Sequence, residues 1–315
     1  MKKSNKIYII GAGAIGKALA VFLQSEKRDV QLVRGSIDNE QAYFEKIRLV
    51  YNQVETIEEE ILVTTLSNLS EMNGIVLVTT KSFSNDIIAK KLKEKRGNFS
   101  IIIMQNGLNI EQPFEQVGLR NIYRCVLFTT SQISKDGDVM FKSVAPSAIG
   151  SLQGENGEVE ELVRHINTAR FQFRSEENIL NLIWEKAIIN CAFNSICPLL
   201  EIDNGIFHRN TKALSLAEVI VRECLDVAME YQIALEEKAV YEKLLLISKR
   251  AEGQLISTYE DIRNGRKTEI DSLNLEMARL AEKIGKPELV KVTKFLGEMI
   301  MIMIKSRLAS QFPFQ

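Results

Sequence analysis

The chain has 315 residues, enough for one large domain or two ordinary ones. It is 45% hydrophobic and 26% charged, as globular proteins are, and its net charge of -1 argues against a general nucleic-acid binder. No apolar run reaches membrane-spanning length.

Cys125, Cys191, Cys197 and Cys224 form no C-x-x-C pattern and no metal-like spacing with histidine. They are expected to be reduced, mostly buried thiols of a cytoplasmic protein without a metal. The basic residues 1–6 run into a β-rich stretch rather than a signal-peptide core. His165 and His208 are the only histidines, so acid/base chemistry by histidine has few candidates.

Ile7-Tyr8-Ile9-Ile10 leads straight into Gly11-Ala12-Gly13-Ala14-Ile15-Gly16, and residues 17–23 have helical character. A G-x-G-x-x-G between a strand and a helix is a dinucleotide-phosphate turn. Gly11 allows the tight turn, Gly13 lets the backbone approach a pyrophosphate, and Gly16 lets the helix pack on the strand. The helix N-terminus adds unpaired N–H groups and a partial positive charge, so residues 11–16 are all expected at the cofactor.

A second strand, 29–34, ends in Arg34. An acidic residue here would bond a ribose 2′-hydroxyl, whereas an arginine can pair with a 2′-phosphate. No carboxylate follows before Asp38, so NADP(H) is expected rather than NAD(H). The alternative is a solvated loop cation.

Residues 61–65 are expected at a sheet edge. Residues 74–80 suit a parallel strand buried on both faces, and they end in Lys81-Ser82-Phe83. A helix is expected over 85–96 and a strand over 99–104, ending in Gln105-Asn106-Gly107. Ligands bind at such carboxyl ends of parallel strands. Lys81 is a candidate for the cofactor phosphate or ribose and Asn106 for the nicotinamide ribose; each also fits an ordinary loop. Alternation over 121–150 predicts antiparallel strands at 123–130, 137–142 and 147–151. A helix over 159–169 and a last strand at 171–173 close the first domain near Arg174.

From Glu176 onward helical periodicity takes over. Lys186, Asn190 and Asn194 stand at i, i+4 and i+8, one stripe of a helix. Ile188, Ile189, Cys191, Ala192, Phe193 and Ile196 cover most other faces, which predicts a largely buried helix. Its polar stripe must then face a cleft or find buried partners. The alternative is a plain solvated stripe, for which asparagine, a poor helix former, has little to recommend it.

A lysine in a half-apolar cleft suits protonation of the alkoxide formed when a nicotinamide hydride reduces a carbonyl, because burial disfavours the charged ammonium. The asparagines can hold substrate oxygens. Asn204-Gly205 follow in a loop, and residues 257–271 are dense in polar groups. Glu269 precedes a helix at 274–283, where its carboxylate can orient Lys186; the alternative is a surface ion-pair cluster. Residues 289–308 predict a packed helix whose charges, Glu298 and Lys305, argue against a membrane span.

Together, GAGAIG at 11–16, Val78-Thr79-Thr80-Lys81-Ser82-Phe83, Gln105-Asn106-Gly107, the Lys-x-x-x-Asn-x-x-x-Asn helix, Asn204-Gly205 and Arg266-Lys267-Thr268-Glu269-Ile270-Asp271 resemble the ketopantoate reductase (2-dehydropantoate 2-reductase) family over nearly the whole length. The resemblance implies an α/β protein: an N-terminal Rossmann-type NADP(H)-binding domain over 1–174, a C-terminal all-helical domain over 175–315, and the site between them. It implies NADPH-dependent reduction of 2-dehydropantoate to pantoate, for pantothenate and coenzyme A synthesis, by a monomer or homodimer.

By resemblance Lys186 is the general acid, and Glu269 supports it and approaches the cofactor. Asn190, Asn194, Asn204 and Ser257 hold the hydroxyl and carboxylate ends of the substrate. Arg34 and Lys81 take the 2′-phosphate side, and Asn106 the nicotinamide ribose. The chain departs from the family at Ile256-Ser257-Thr258, where paired serines are usual, and over residues 195–203. Two alternatives follow: a related reductase of another small 2-oxo acid, and a dinucleotide-sensing protein without turnover.

Overall fold

The computed structural model describes residues 6–35, 37–152 and 157–311, without side-chain detail for 308–311. Residues 1–5, read above as a basic start, and Ser36 lie outside the described residues. The chain divides into two compact units, one of residues up to 105 with 110–179 and one of 106–109 with 180 onward.

In the first unit the chain runs β1 (Ile7–Ile10), α1 (Ala14–Ser25), β2 (Val30–Arg34), β3 (Tyr43–Tyr51), β4 (Glu55–Thr65), β5 (Gly74–Val78), α2 (Asn85–Lys93), β6 (Phe99–Ile103) and α3 (Gln112–Gln116). It continues through β7 (Ile122–Val126), β8 (Thr129–Ile133), β9 (Val139–Ser143), β10 (Ser147–Ser151), α4 (Gly157–Ile166) and β11 (Phe173–Ser175). All eleven strands join one sheet in the order β11-β10-β7-β6-β5-β1-β2-β4-β3-β9-β8. The run from β7 to β2 is parallel.

β1 is buried at every position, because both sheet faces are covered. Ile7 and Ile9 pack with Leu19 and Phe22 of α1 and with Leu162 of α4. Tyr8 and Ile10 face the other way, with Ile88 of α2 and Phe114 of α3. This period-two split of one strand between two apolar layers fixes the central sheet.

Three strand expectations need correction. Residues 61–65 are not an edge. They end the eleven-residue β4, which lies between β2 and β3. β3, which carries no clear strand pattern in the sequence, pairs with β4 along its whole length. Asn52 and Gln53, with φ of 50° and 62°, make the hairpin turn, and Val54 N–H donates to Tyr51 O at 3.0 Å. One face of the pair exposes Lys46 and Arg48 of β3 opposite Glu60 and Glu58 of β4, whereas Ile47, Leu49 and Ile61 are buried on the other.

The stretch 123–130 is two strands, not one. β7 pairs with β6 and β10, whereas β8 pairs with β9 at the far edge of the sheet. Between them Phe128 N–H donates to Ser147 Oγ at 3.1 Å. The last strand lies two residues later than expected and pairs in parallel with β10.

The second unit is helical: α5 (Ile179–Leu199), α6 (Ile206–Arg209), α7 (Thr211–Glu230), α8 (Glu237–Arg250), α9 (Ser257–Arg263), α10 (Asn274–Lys283) and α11 (Lys291–Gln311). α5 carries Pro198 in its last turn and ends at a left-handed Glu201 (φ 55°). Ile202 N–H donates to Cys197 O and Glu201 N–H to Pro198 O, closing a Schellman-type end. Glu223 accepts from the N–H groups of Val292 and Thr293, satisfying the first turn of α11. Buried Asn274 donates to Cys191 O at 3.1 Å and Thr293 O at 3.4 Å, tying α10 to α5 and α11. Among the described residues no helix is long and apolar enough to cross a membrane, and no cluster of His, Cys, Asp or Glu could hold a metal. All four cysteines are free and buried.

Candidate functional site

In the first unit the glycine-rich turn joins β1 to α1. Gly11 has φ +126°, and a Cβ there would lie 2.7 Å from both Thr79 Oγ1 and Thr80 N. A Cβ on Gly16 would lie 1.8 Å from Gly11 O. Both positions therefore require glycine. Thr79 Oγ1 braces the turn by donating toward Gly11 O at 3.0 Å and Ile10 O at 3.2 Å.

Gly13 differs: a Cβ there would meet nothing within 4 Å. It starts α1 with no side-chain cap and no acidic residue in the first turn. An uncapped N-terminus beside open space, formed from Ala14, Ile15 and Gly16, fits a dinucleotide phosphate.

Arg34 ends β2 and is already paired, with Glu40 Oε2 2.6 Å from its Nη1. Asp38 is engaged too, by Lys91 and by the N–H groups of Ser67 (2.9 Å) and Asn39 (3.1 Å). Burial alone would raise its carboxyl, but these donors hold it well below the carboxylate range. Lys81 is half-buried just after β5.

In the second unit Lys186 and Asn190 are half-buried on α5, and Asn194 is 3% exposed. Asn194 Nδ2 donates to Asn190 O at 2.9 Å. Its Oδ1 is buried with no hydrogen-bond partner among the described residues. Asn204, 6% exposed, repeats this feature: its Oδ1 is also buried and unpartnered. The backbone of Asn204 is firmly held, with N–H donating to Gln254 O at 2.9 Å and its carbonyl accepting from Ser248 Oγ at 2.7 Å. Next to it, Asp203 accepts from Gly205 N–H at 2.6 Å and from Arg209 at 2.8 Å. Burial alone would raise the Asp203 carboxyl; Arg209 and the N–H donors hold it below its usual value.

A buried acceptor without a donor costs about 1–3 kcal/mol; Asn274 Oδ1 shares this feature among the described residues, and on Asn194 and Asn204 it marks candidate acceptors for a donor from a bound molecule.

Glu269 is 8% exposed. Its carbonyl accepts from Ser272 N–H and Oγ, both at 3.0 Å. Ser272 O in turn accepts from Leu108 N–H at 2.9 Å. Gly107 has φ +120°, and a Cβ there would sit 2.6 Å from Ser272 Oγ. The Asn106–Asn109 segment thus packs on the turn after Glu269. Ser257 stands exposed at the start of α9, whereas Thr258 is buried.

Sequence reasoning assigned no role to Thr79, Glu40 or Ser248. Thr79 follows an apolar strand, a usable signal. Glu40 lies six residues past Arg34, and Ser248 is one hydroxyl in an ordinary amphipathic helix.

Residues 7–154 match the family model described as ketopantoate reductase PanE/ApbA, and residues 178–303 match its C-terminal model. The chain is 29% identical over 285 residues to the 2-dehydropantoate 2-reductase of Pyrococcus horikoshii, covering 89% of this chain and 92% of that one. It is 25% identical over 284 residues to the Streptococcus pyogenes protein of the same name, with the same coverage. Among solved structures, a dimeric ketopantoate reductase from Staphylococcus aureus gives a TM-score of 0.79 at 18% identity, over 96% of this chain and 99% of that one. D-mandelate dehydrogenase with NADH and anilino(oxo)acetate gives 0.80 at 21%, with the same coverage. At such identities the solved structures establish the fold, and the two family models carry the assignment: the chain belongs to the ketopantoate reductase family of oxidoreductases.

Proposed function

We propose that this enzyme reduces 2-dehydropantoate to pantoate with NADPH, for pantothenate and coenzyme A synthesis, with Lys186 as proton donor. When bound, the cofactor supplies a hydride to the substrate's carbonyl carbon. Lys186 Nζ protonates the carbonyl oxygen as the C=O bond becomes C–OH. Glu269 orients Lys186, and Asn190 and Ser257 hold the carboxylate end. The glycine turn takes the pyrophosphate, Arg34 and Lys81 the 2′-phosphate side, and Asn106 the nicotinamide ribose. Four free, buried cysteines fit a reducing compartment such as the cytoplasm.

The observation that carries the substrate reading is the pair of buried acceptors, Asn194 Oδ1 and Asn204 Oδ1. A hydroxylated 2-oxo acid brings an O–H donor to such an acceptor; an alkyl 2-oxo acid brings none. A site built to bond a hydroxyl rejects the analogue lacking it, by about 10⁴-fold in strong cases. NADPH absorbance, followed with 2-dehydropantoate, an alkyl 2-oxo acid and an aryl 2-oxo acid, tests this. At least about a hundredfold preference in kcat/KM for the hydroxylated acid is expected. Equal or faster turnover of either other acid would overturn the substrate assignment.

A further inference from the structure

Two amides buried in the first unit have no place in the roles given so far. Asn85, 1% exposed, begins α2, and Gln105, 5% exposed, lies two residues past β6. Asn85 Nδ2 donates to Gln105 Oε1 and to Ile110 O, both at 2.8 Å. Gln105 Nε2 donates to Asn85 Oδ1 at 2.8 Å and to Thr80 Oγ1 at 3.1 Å. Each amide nitrogen has two hydrogens, and all four have acceptors. Ile110 O can only accept, so it fixes which way the Asn85 amide faces. That in turn fixes Gln105, and Gln105 aims its remaining N–H at Thr80.

Thr80 is where this network meets the cofactor loops. Its N lies 2.7 Å from where a Cβ on Gly11 would be, and its Cγ2 lies 2.6 Å from where a Cβ on Gly35 would be. Gly11 opens the glycine turn, Gly35 follows Arg34, and Thr80 precedes Lys81. The last backbone bond between the ends of β5 and β6 runs from Met104 N–H to Val78 O at 3.0 Å. Beyond it the strand ends are joined through side chains, by Gln105 to Thr80.

We propose that Asn85 and Gln105 are positioning residues for the dinucleotide. They hold Thr80 against the glycine turn and so set the spacing of that turn, Arg34 and Lys81. This rests on the cofactor reading above. Neither amide is a ligand: both spend every donor inside the protein. Their effect on binding passes through Thr80.

The test is a double-mutant cycle on the full chain, with NADPH Kd read by fluorescence titration for wild type, Gln105→Leu, Thr80→Val and the double variant. Both single changes cut the same link, so each raises Kd about tenfold and the double variant does no more than the larger single. KM for the oxo acid at saturating NADPH stays within about twofold, a split that a merely destabilised fold would not give. Should Gln105→Leu fail to fold, Thr80→Val, which leaves the amide pair itself intact, carries the test. An NADPH Kd unchanged in a folded variant, or effects that multiply in the double, would overturn the proposal while leaving the cofactor reading standing. A wild type that binds neither NADPH nor NADH would overturn both.

Discussion

Asn194 gives its side-chain N–H to the carbonyl of Asn190, 2.9 Å away and one turn earlier on α5, and leaves its own Oδ1 buried without a donor. The residue thus carries an energetic cost in the protein alone. Asn194→Leu removes that acceptor at similar volume. Stability should stay level or rise by up to about 1 kcal/mol. KM for the oxo acid should rise at least about tenfold, with NADPH binding unchanged. Thermal melts and steady-state kinetics on one preparation read both.

Gly13 and Gly16 of the turn should separate folding from binding. Gly13→Ala places a methyl in open space, costing no more than about 1 kcal/mol as a helix-cap change, yet it weakens NADPH at least about tenfold. Gly16→Ala drives a methyl into Gly11 O and should lose stability by several times as much. Melting curves with and without NADPH distinguish the two.

Arg34 already holds Glu40, so a 2′-phosphate must compete for it. Arg34→Ala should weaken NADPH far more than NADH. Glu40→Gln should tighten NADPH, and not NADH, by about two- to fivefold, the worth of one exposed ion pair. Calorimetric titrations with the two cofactors measure the ratio directly.

Asp38 supplies a pH signature. Its folded carboxyl lies below the ordinary value, held there by Lys91 and two backbone N–H groups. Its stabilisation is therefore full above the unfolded pKa, about 4, and fades as pH falls toward the folded value. Lys91→Met should cost about 1 kcal/mol at neutral pH. The gap to wild type should narrow in melts run below about pH 4. A gap that widens in acid would contradict this.

What was legible in the sequence was what local periodicity encodes. The Ile7-to-Gly16 strand and turn stand together in the chain. Lys186, Asn190 and Asn194 declare their stripe through a 3.6-residue period among apolar neighbours. β3 and β4 were poorly legible because Lys46, Arg48, Glu58 and Glu60 crowd charge onto one face of the pair and Glu59 interrupts the apolar alternation of the other. The break at Leu127-Phe128 left no mark, because alternation is the same whether the chain stays at one strand or leaves for the far edge. The anchors of the site were illegible for a different reason. Ser248 holds Asn204 across 44 positions and Asn85 holds Gln105 across 20, and no local pattern reports such pairings.

The role of Lys186 as proton donor is tested most directly by NADPH oxidation with 2-dehydropantoate by wild type and Lys186→Ala, alongside NADPH Kd for both. The wild type should turn over, kcat should fall about 10²- to 10⁴-fold in the variant, and Kd should not move. Turnover by Lys186→Ala close to the wild-type rate would contradict Lys186 as the proton donor.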